Sequence, residues 1–390
     1  MHALQTPPGP KATINNQNVD YFCGFSYFAL QNHPDLIQAA TKAMQHYGIN
    51  AGTSRAGYGN LPIFQQVEQK AADFFAQESA LYYVSGYLGN ALLLQGLAPD
   101  YDIIFADQES HYSILDGIAM ANKPHITFAH RDSHDLAQQL NTHLKPKQRP
   151  LVITDGVFPT TGQLAPLADY DKLLANYPAS ILCVDDAHAY AVIGNHGRGT
   201  LEHFGIQGPR RYSSGTLSKA VGGHGGIITG SRALIEQLKH RCKSLIGSSP
   251  VPIPAAAATA AGLDILKQQP AMRQQLWENV AYAKRAFGEL GFEGIPDTPV
   301  PIICLSQDGH DYSTISKTLM EKNIAVQYIP GGSYTGAPKS GAIRIAVFSG
   351  HTKAQIDRLA MAIDNHIHEA RVRRKLSKPL RNGRGSNDIF

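Results

Sequence analysis

One lysine, Lys219, sits in the run Ser213-Ser214-Gly215-Thr216-Leu217-Ser218-Lys219-Ala220-Val221-Gly222-Gly223-His224-Gly225-Gly226. A β-rich segment, Ile227-Ile228-Thr229, follows it. Such surroundings suit an amine that attacks a carbonyl. Small neighbours admit a planar partner, hydroxyls can hold an anionic group beside it, and burial lowers the amine's pKa and frees its lone pair. The same run also reads as a glycine-rich loop with an exposed lysine. What bears on the choice lies upstream, where Val184-Asp185-Asp186-Ala187-His188 ends an apolar stretch. An acidic pair there can be a helix N-cap and nothing more.

A carboxylate at a strand end together with a lysine on a later loop is what pyridoxal phosphate requires. The carboxylate keeps the ring nitrogen protonated, and the lysine holds the aldehyde. Ser85-Gly86-Tyr87-Leu88-Gly89-Asn90 joins an expected strand to a helix, whose free N–H groups suit a phosphate. Glycine turns before helices are common, so this piece adds weight only in company. Asp107-Gln108-Glu109-Ser110-His111-Tyr112-Ser113 also follows a strand, and His111 can lie flat against such a ring or simply occupy a capping loop.

The elements that must position these groups follow from hydrophobic periodicity. Residues 1–20 read as a loose arm, and 21–30, rich in aromatics, as a short strand. Helices are predicted over 35–47 and from Pro62, where proline occupies the first turn. Strands at 80–84, 102–106, 125–129, 150–154 and 181–184 then alternate with helices at 86–97, 112–122, 133–144 and 168–176. That alternation predicts an α/β chain with a mainly parallel sheet covered on both faces, and ligands outside the carboxyl ends of its strands. After the lysine come a strand at 225–229 and a helix at 232–243. Two helical segments follow Pro254, the second containing Trp277. The order 301–305 strand, 312–322 helix, 324–329 strand, 342–348 strand and 353–368 helix then predicts a small α+β domain. The expected division is an N-terminal segment 1–34, a large domain 35–270, a small domain 271–370 and a basic, disordered tail 371–390.

Composition sets wider bounds. A chain of 390 residues is long enough for more than one core. It is 43% hydrophobic and 17% charged, with a formal charge of only +4. Part of that charge is the cluster Arg371, Arg373, Arg374, Lys375, Lys378, Arg381 and Arg384, which has no interleaved aromatics and reads as a solvated tail rather than a nucleic-acid site. The four cysteines, Cys23, Cys183, Cys242 and Cys304, show no metal-ligand spacing, and Cys183 and Cys304 read as buried thiols. No secretory signal is visible, and the most apolar segment, 254–266, is too short to span a bilayer. A cytoplasmic protein is the expectation.

Taken in order, Ser85–Asn90, Ser110-His111-Tyr112-Ser113, Thr154-Asp155-Gly156-Val157-Phe158, Asp185-Asp186-Ala187-His188, Gly197-Arg198-Gly199-Thr200 and Thr216-Leu217-Ser218-Lys219 form a joint pattern. It resembles the α-oxoamine synthases, pyridoxal-phosphate enzymes of aminotransferase fold type I, over about residues 21–368. The resemblance implies a large domain, a small C-terminal domain and a homodimer with a shared active site. It implies condensation of a small amino acid with an acyl-CoA or carrier-bound thioester, with decarboxylation to an α-aminoketone. It assigns Lys219 as the Schiff-base lysine, Asp185 as the pyridinium partner, His188 as donor to the ring's phenolic oxygen and His111 as the stacking histidine. Thr216 and the backbone of Gly86 and Tyr87 take the phosphate, and Ser248 or Ser249 reaches the phosphate of a neighbouring subunit. Arg344 pairs with the amino acid's carboxylate, a role suited to a bidentate guanidinium. The run Pro159-Thr160-Thr161-Gly162 departs from the family's Ser-Met-(Asp/Glu)-Gly, so a hydroxyl that touches the cofactor is missing or displaced. Alanine also stands at positions 189 and 191, where many members have glycine. An aminotransferase or aldolase-type enzyme on the same fold would use the same lysine and aspartate.

Overall fold

The computed structural model describes residues 2–376, with side chains through residue 368. Its first surprise lies in the arm. Asn15 and Asn16 both take left-handed backbone angles (φ 49 and 65), the geometry of a two-residue hairpin turn. They fold Lys11–Ile14 (β1) antiparallel onto Gln17–Tyr21 (β2). The arm is therefore an ordered hairpin over these residues, not a loose segment. The strand expected over 21–30 ends at Tyr21, and a single 3-10 turn, Leu30–Asn32, follows.

The large sheet contains Ser79–Tyr83 (β3), Ile103–Asp107 (β4), His125–Phe128 (β5), Pro150–Asp155 (β6), Ile181–Asp185 (β7), Arg211–Thr216 (β8) and Gly226–Gly230 (β9). Their order is β3-β9-β8-β7-β6-β4-β5, and all neighbours are parallel except at β9, which runs antiparallel to both β3 and β8. β7 shows why the sheet must be covered twice. Ile181 and Cys183 pack with Ile104 and Leu93 on one face, while Leu182 and Val184 pack with Phe105 and Leu136 on the other. These four side chains of β7 are fully buried, and burying each large aliphatic one is worth ~1.5–3 kcal/mol. The predicted helix at 86–97 opens as a 3-10 turn, Gly86–Leu88, before the α-helix Gly89–Gly96.

The small domain carries Ile302–Leu305 (β10), Ile324–Ala325 (β11), Gln327–Ile329 (β12) and Ala342–Ala346 (β13). β10, β13 and β12 form one antiparallel sheet, in which Arg344 of β13 lies opposite Cys304 and Gln327. The single strand expected over 324–329 is broken at Val326. β11 leaves the sheet and pairs parallel with β2, which stitches the N-terminal hairpin to the small domain. Cys304 is only partly buried because β10 is an edge strand, whereas Cys183 is fully enclosed. The last helix runs Lys353–Leu376, so residues 371–376 continue it instead of beginning the tail. The rest of the expected tail lies outside the described residues. Among the described residues, no helix is long and apolar enough to cross a membrane.

Candidate active site

Parallel strands deliver their last residues to one edge of the sheet. Asp155 ends β6 and Asp185 ends β7, directly opposite each other in register, and Ser214 of β8 lies opposite Asp185. Lys219 follows in the loop between β8 and β9. The cavity above this edge, about 190 Å³, is lined by Phe25, Ser85, Gly86, Tyr87, His111, Ser113, Asp155, Asp185, Ala187, His188, Thr216, Ser218 and Lys219. Larger grooves, about 670 Å³ each, run along the N-terminal hairpin, and Lys219 lines neither of them.

Asp185 is held by converging donors. Asn90 Nδ2 donates to it at 2.6 Å, Ser113 Oγ at 3.3 Å and the Ala187 N–H at 3.0 Å. Asn90 is itself fixed by Ser214, whose hydroxyl donates to Asn90 Oδ1 at 3.0 Å. The second aspartate of the pair turns away. Asp186 accepts the Thr200 N–H and hydroxyl at 3.0 and 2.6 Å, and burial pushes its carboxyl up to about 7 despite those bonds. Asp186 thus ties down the start of the short helix Thr200–His203, a structural role, while Asp185 accepts the Ala187 N–H two residues on and lines the cavity.

Lys219 Nζ lies 3.0 Å from His188 Nε2, and His188 Nδ1 lies 2.8 Å from the Tyr27 hydroxyl. Burial lowers the Lys219 amine to about 8, with Arg344 acting in the same sense and Asp185 and Asp155 opposing it. Burial also holds His188 well below the usual imidazole range, helped by the charges of Lys219 and Arg344. His111 is lowered too, by burial first. Its backbone N–H donates to Asp155 Oδ2 at 2.8 Å, and its ring meets Ser113, Tyr87 and Tyr334. Asp155 is raised well above the usual carboxyl range by burial and then by Asp185 beside it.

Does this corner fit pyridoxal phosphate? Thr216 and Gly86 answer for the phosphate end. A Cβ at Gly86 would come within 2.6 Å of Thr216 Cβ, so only glycine lets the turn approach that close. Ser85, Thr216 and Ser218 supply hydroxyls there, and the Tyr87 N–H is held only by a 3.4 Å bond to Ser85 Oγ. At the other end, a donor-fixed carboxylate and a lysine with a lowered pKa face the same space. The residues fit the group.

The remaining expected residues lie further out. Arg344 is buried and beside the cavity without lining it. Its Nε donates to the Pro159 carbonyl at 2.7 Å and its Nη1 to the Gly24 carbonyl at 3.1 Å. Ser248 follows the helix Lys243–Gly247 and lies outside the cavity of its own chain. None of residues 159–161 lines the cavity. Thr160 is buried instead, its hydroxyl donating to the Thr335 carbonyl at 2.8 Å. Sequence reasoning missed Asn90, Tyr27 and Phe25. Asn90 had one usable signal, a polar residue one helical turn past Gly86-Tyr87 and directly before the apolar run 91–94.

The family model for aminotransferase class I and II matches residues 26–363. A serine palmitoyltransferase variant from S. paucimobilis, solved with bound PLP and myriocin, superposes with a TM-score of 0.88 at 23% identity, covering 95% of this chain and 93% of that one. Fold and site thus define a pyridoxal-phosphate-dependent enzyme of aminotransferase fold type I. The 8-amino-7-oxononanoate synthase of Thermoanaerobacter pseudethanolicus is 35% identical over 364 residues, 93% of this chain and 91% of its own. The 8-amino-7-oxononanoate synthase 1 of Bacillus subtilis is 34% identical over 370 residues, 95% and 93% of the two chains. The chain belongs to the α-oxoamine synthases, the acyltransferases of this fold that join an amino acid to an acyl thioester with loss of carbon dioxide.

Proposed function

We propose that this enzyme condenses a small amino acid, alanine first, with the CoA thioester of a dicarboxylic acid. The relatives' product name supports the choice of alanine. 8-Amino-7-oxononanoate ends in a methyl and an amine-bearing carbon, the alanine skeleton without its carboxylate, and the rest of its carbons come from the acyl donor. The observation that carries the reading is the convergence of Lys219, His188, Asp185 and His111 on one cavity.

When bound, pyridoxal phosphate supplies an electrophilic carbonyl and an electron-accepting ring. Asp185, fixed by Asn90 and Ser113, would hold the ring nitrogen's proton, and the Gly86–Thr216 corner would hold the phosphate. His111 and His188 line the same cavity and would hold the ring, His188 as donor to its phenolic oxygen. Arg344 takes the amino acid's carboxylate. Lys219, whose lowered pKa leaves more of it neutral than an ordinary lysine, would remove the α-proton. A bond then forms between the α-carbon and the thioester carbonyl carbon, and the C–S bond breaks, its sulfur leaving as a thiol. Loss of the carboxylate as carbon dioxide and a proton returned to the α-carbon complete the aminoketone.

The active unit in this reading is a homodimer in the cytoplasm. Ile37, Met44, Tyr47 and Ile49 expose apolar surface along and just beyond the helix Pro34–Tyr47 that suits such a dimer, in which Ser248 would reach the partner's phosphate. The unpaired cysteines suit a reducing compartment. The test is a spectral titration of the purified enzyme with amino acids, with product analysis by mass spectrometry. Alanine should perturb the cofactor's visible band, and an aminoketone should form only when an acyl-CoA is added. Conversion of the cofactor to its amine form without any thioester would make the protein an aminotransferase.

A further inference from the structure

A line of polar groups crosses from Arg344 to Lys219. The Arg344 guanidinium lies near Tyr27, and its charge acts on the phenol. The same hydroxyl is 2.8 Å from His188 Nδ1, and His188 Nε2 is 3.0 Å from Lys219 Nζ. Tyr27 is fully buried, so each of its hydrogen-bonding capacities needs a partner within this line.

The protons in the line can run in only one direction. A guanidinium has N–H groups and no acceptor, so the phenol proton cannot go to Arg344. Burial keeps the phenol protonated, its pKa pushed up to about 12. Its proton goes to Nδ1, the acceptor in reach. Were the imidazole to donate there instead, the hydroxyl proton would be buried with no partner. A neutral imidazole whose Nδ1 accepts carries its proton on Nε2. An Nε2–H cannot face an ammonium, which has no lone pair to offer; it can face a free amine.

We propose that Tyr27 is a positioning residue that fixes His188 as the Nε2–H tautomer. His188 then donates to the Lys219 lone pair and, once the cofactor is bound, to its phenolic oxygen. The proposal rests on the roles given above to Lys219 and His188. The other groups facing Lys219 are Asp185 and Asp155 at the ends of β7 and β6, Arg344 on β13, and the Phe25 ring, 5.7 Å from Nζ. His111 acts on His188 from beyond β4. Removing the Tyr27 hydroxyl leaves every one of these side chains present.

Tyr27→Phe keeps the ring and deletes the hydroxyl. Two measurements on the full-length, cofactor-free chain test the consequence. In ¹⁵N spectra of histidine-labelled protein, the His188 signal, assigned by its loss in His188→Gln, should show a proton on Nε2 in the parent and on Nδ1 in Tyr27→Phe. The pH midpoint for acetylation of Lys219, followed by peptide mass spectrometry, should rise by about one unit in the variant, because His188 can then accept from the ammonium. A parent His188 protonated on Nδ1 overturns the proposal, and so does an unchanged midpoint in a folded variant. If the variant does not fold, the parent spectrum alone decides. Failure of the underlying site assignment looks different: the parent would form no Lys219-dependent visible band with pyridoxal phosphate.

Discussion

Asn90 is the residue whose removal most directly tests how the cofactor site is held. It is fully buried, donates to Asp185 at 2.6 Å and to Ser113 at 3.0 Å, and accepts from Ser214 at 3.0 Å. A hydrogen bond to a charged group is worth ~1.5–3 kcal/mol and each neutral one ~1 kcal/mol. Asn90→Ala should therefore cost ~3–5 kcal/mol of stability, since its partners are left buried without it. Urea unfolding of the cofactor-free protein at one fixed protomer concentration measures this loss. A double-mutant cycle with Asp185→Ala should isolate a coupling of ~1.5–3 kcal/mol for the charged contact. The same variant should bind pyridoxal phosphate more weakly, because Asp185 loses the donor that aims it. A loss under ~1 kcal/mol, with a coupling within ~0.5 kcal/mol of zero, would refute the reasoning.

Two further predictions concern the reacting ends of the site. Lys219, lowered to about 8, should capture pyridoxal phosphate at a rate that climbs about tenfold per pH unit up to pH 8 and then levels, whereas an ordinary lysine would keep climbing beyond pH 10; stopped-flow absorbance reads this. Between that pKa and the ordinary value of 10.5 the unfolded chain carries a proton at this lysine that the folded chain lacks. The group's contribution to the stability of the cofactor-free protein is thus least favourable below pH 8 and improves as pH rises through that window, as denaturation at several pH values should show. Arg344→Ala should weaken amino-acid binding by roughly 30-fold or more while leaving cofactor affinity little changed, as measured by titration of the visible band. Equal affinity for the amino acid in parent and variant would remove Arg344 from the carboxylate site.

Much of this architecture is written in local pattern. Residues 181–184 are apolar at every position and end in an aspartate, which marks a strand buried on both faces whose last residue emerges at the ligand-binding edge. The hydroxyl- and glycine-rich run around Lys219 marks a loop that must let something flat come close. Both signals depend on neighbours in sequence, so the chain states them openly. The direction of β9 is not stated this way, because an apolar strand looks the same run either way. Nor is the hairpin of the arm secured by its own residues alone, since β2 gains its second partner only from β11 of the small domain.

The site divides along the same line. Residue types alone nominated Lys219, Asp185, His188 and His111. Which residues pair to hold them could not be read, because hydrogen bonds across 95 positions, from Asn90 to Asp185, or 161, from Tyr27 to His188, leave no period. The 159–161 run shows the same limit from the other side. A cofactor hydroxyl there read as either missing or displaced, and only the approach of the 330–341 loop showed that Thr160 bonds the Thr335 carbonyl, while Thr161 accepts the Gln163 N–H. The sequence by itself determined which chemical groups the protein carries and which strands bring them to one edge. The tertiary structure alone decided their protonation and aim, because pKa and orientation are set by burial and by partners that folding brings in from remote parts of the chain.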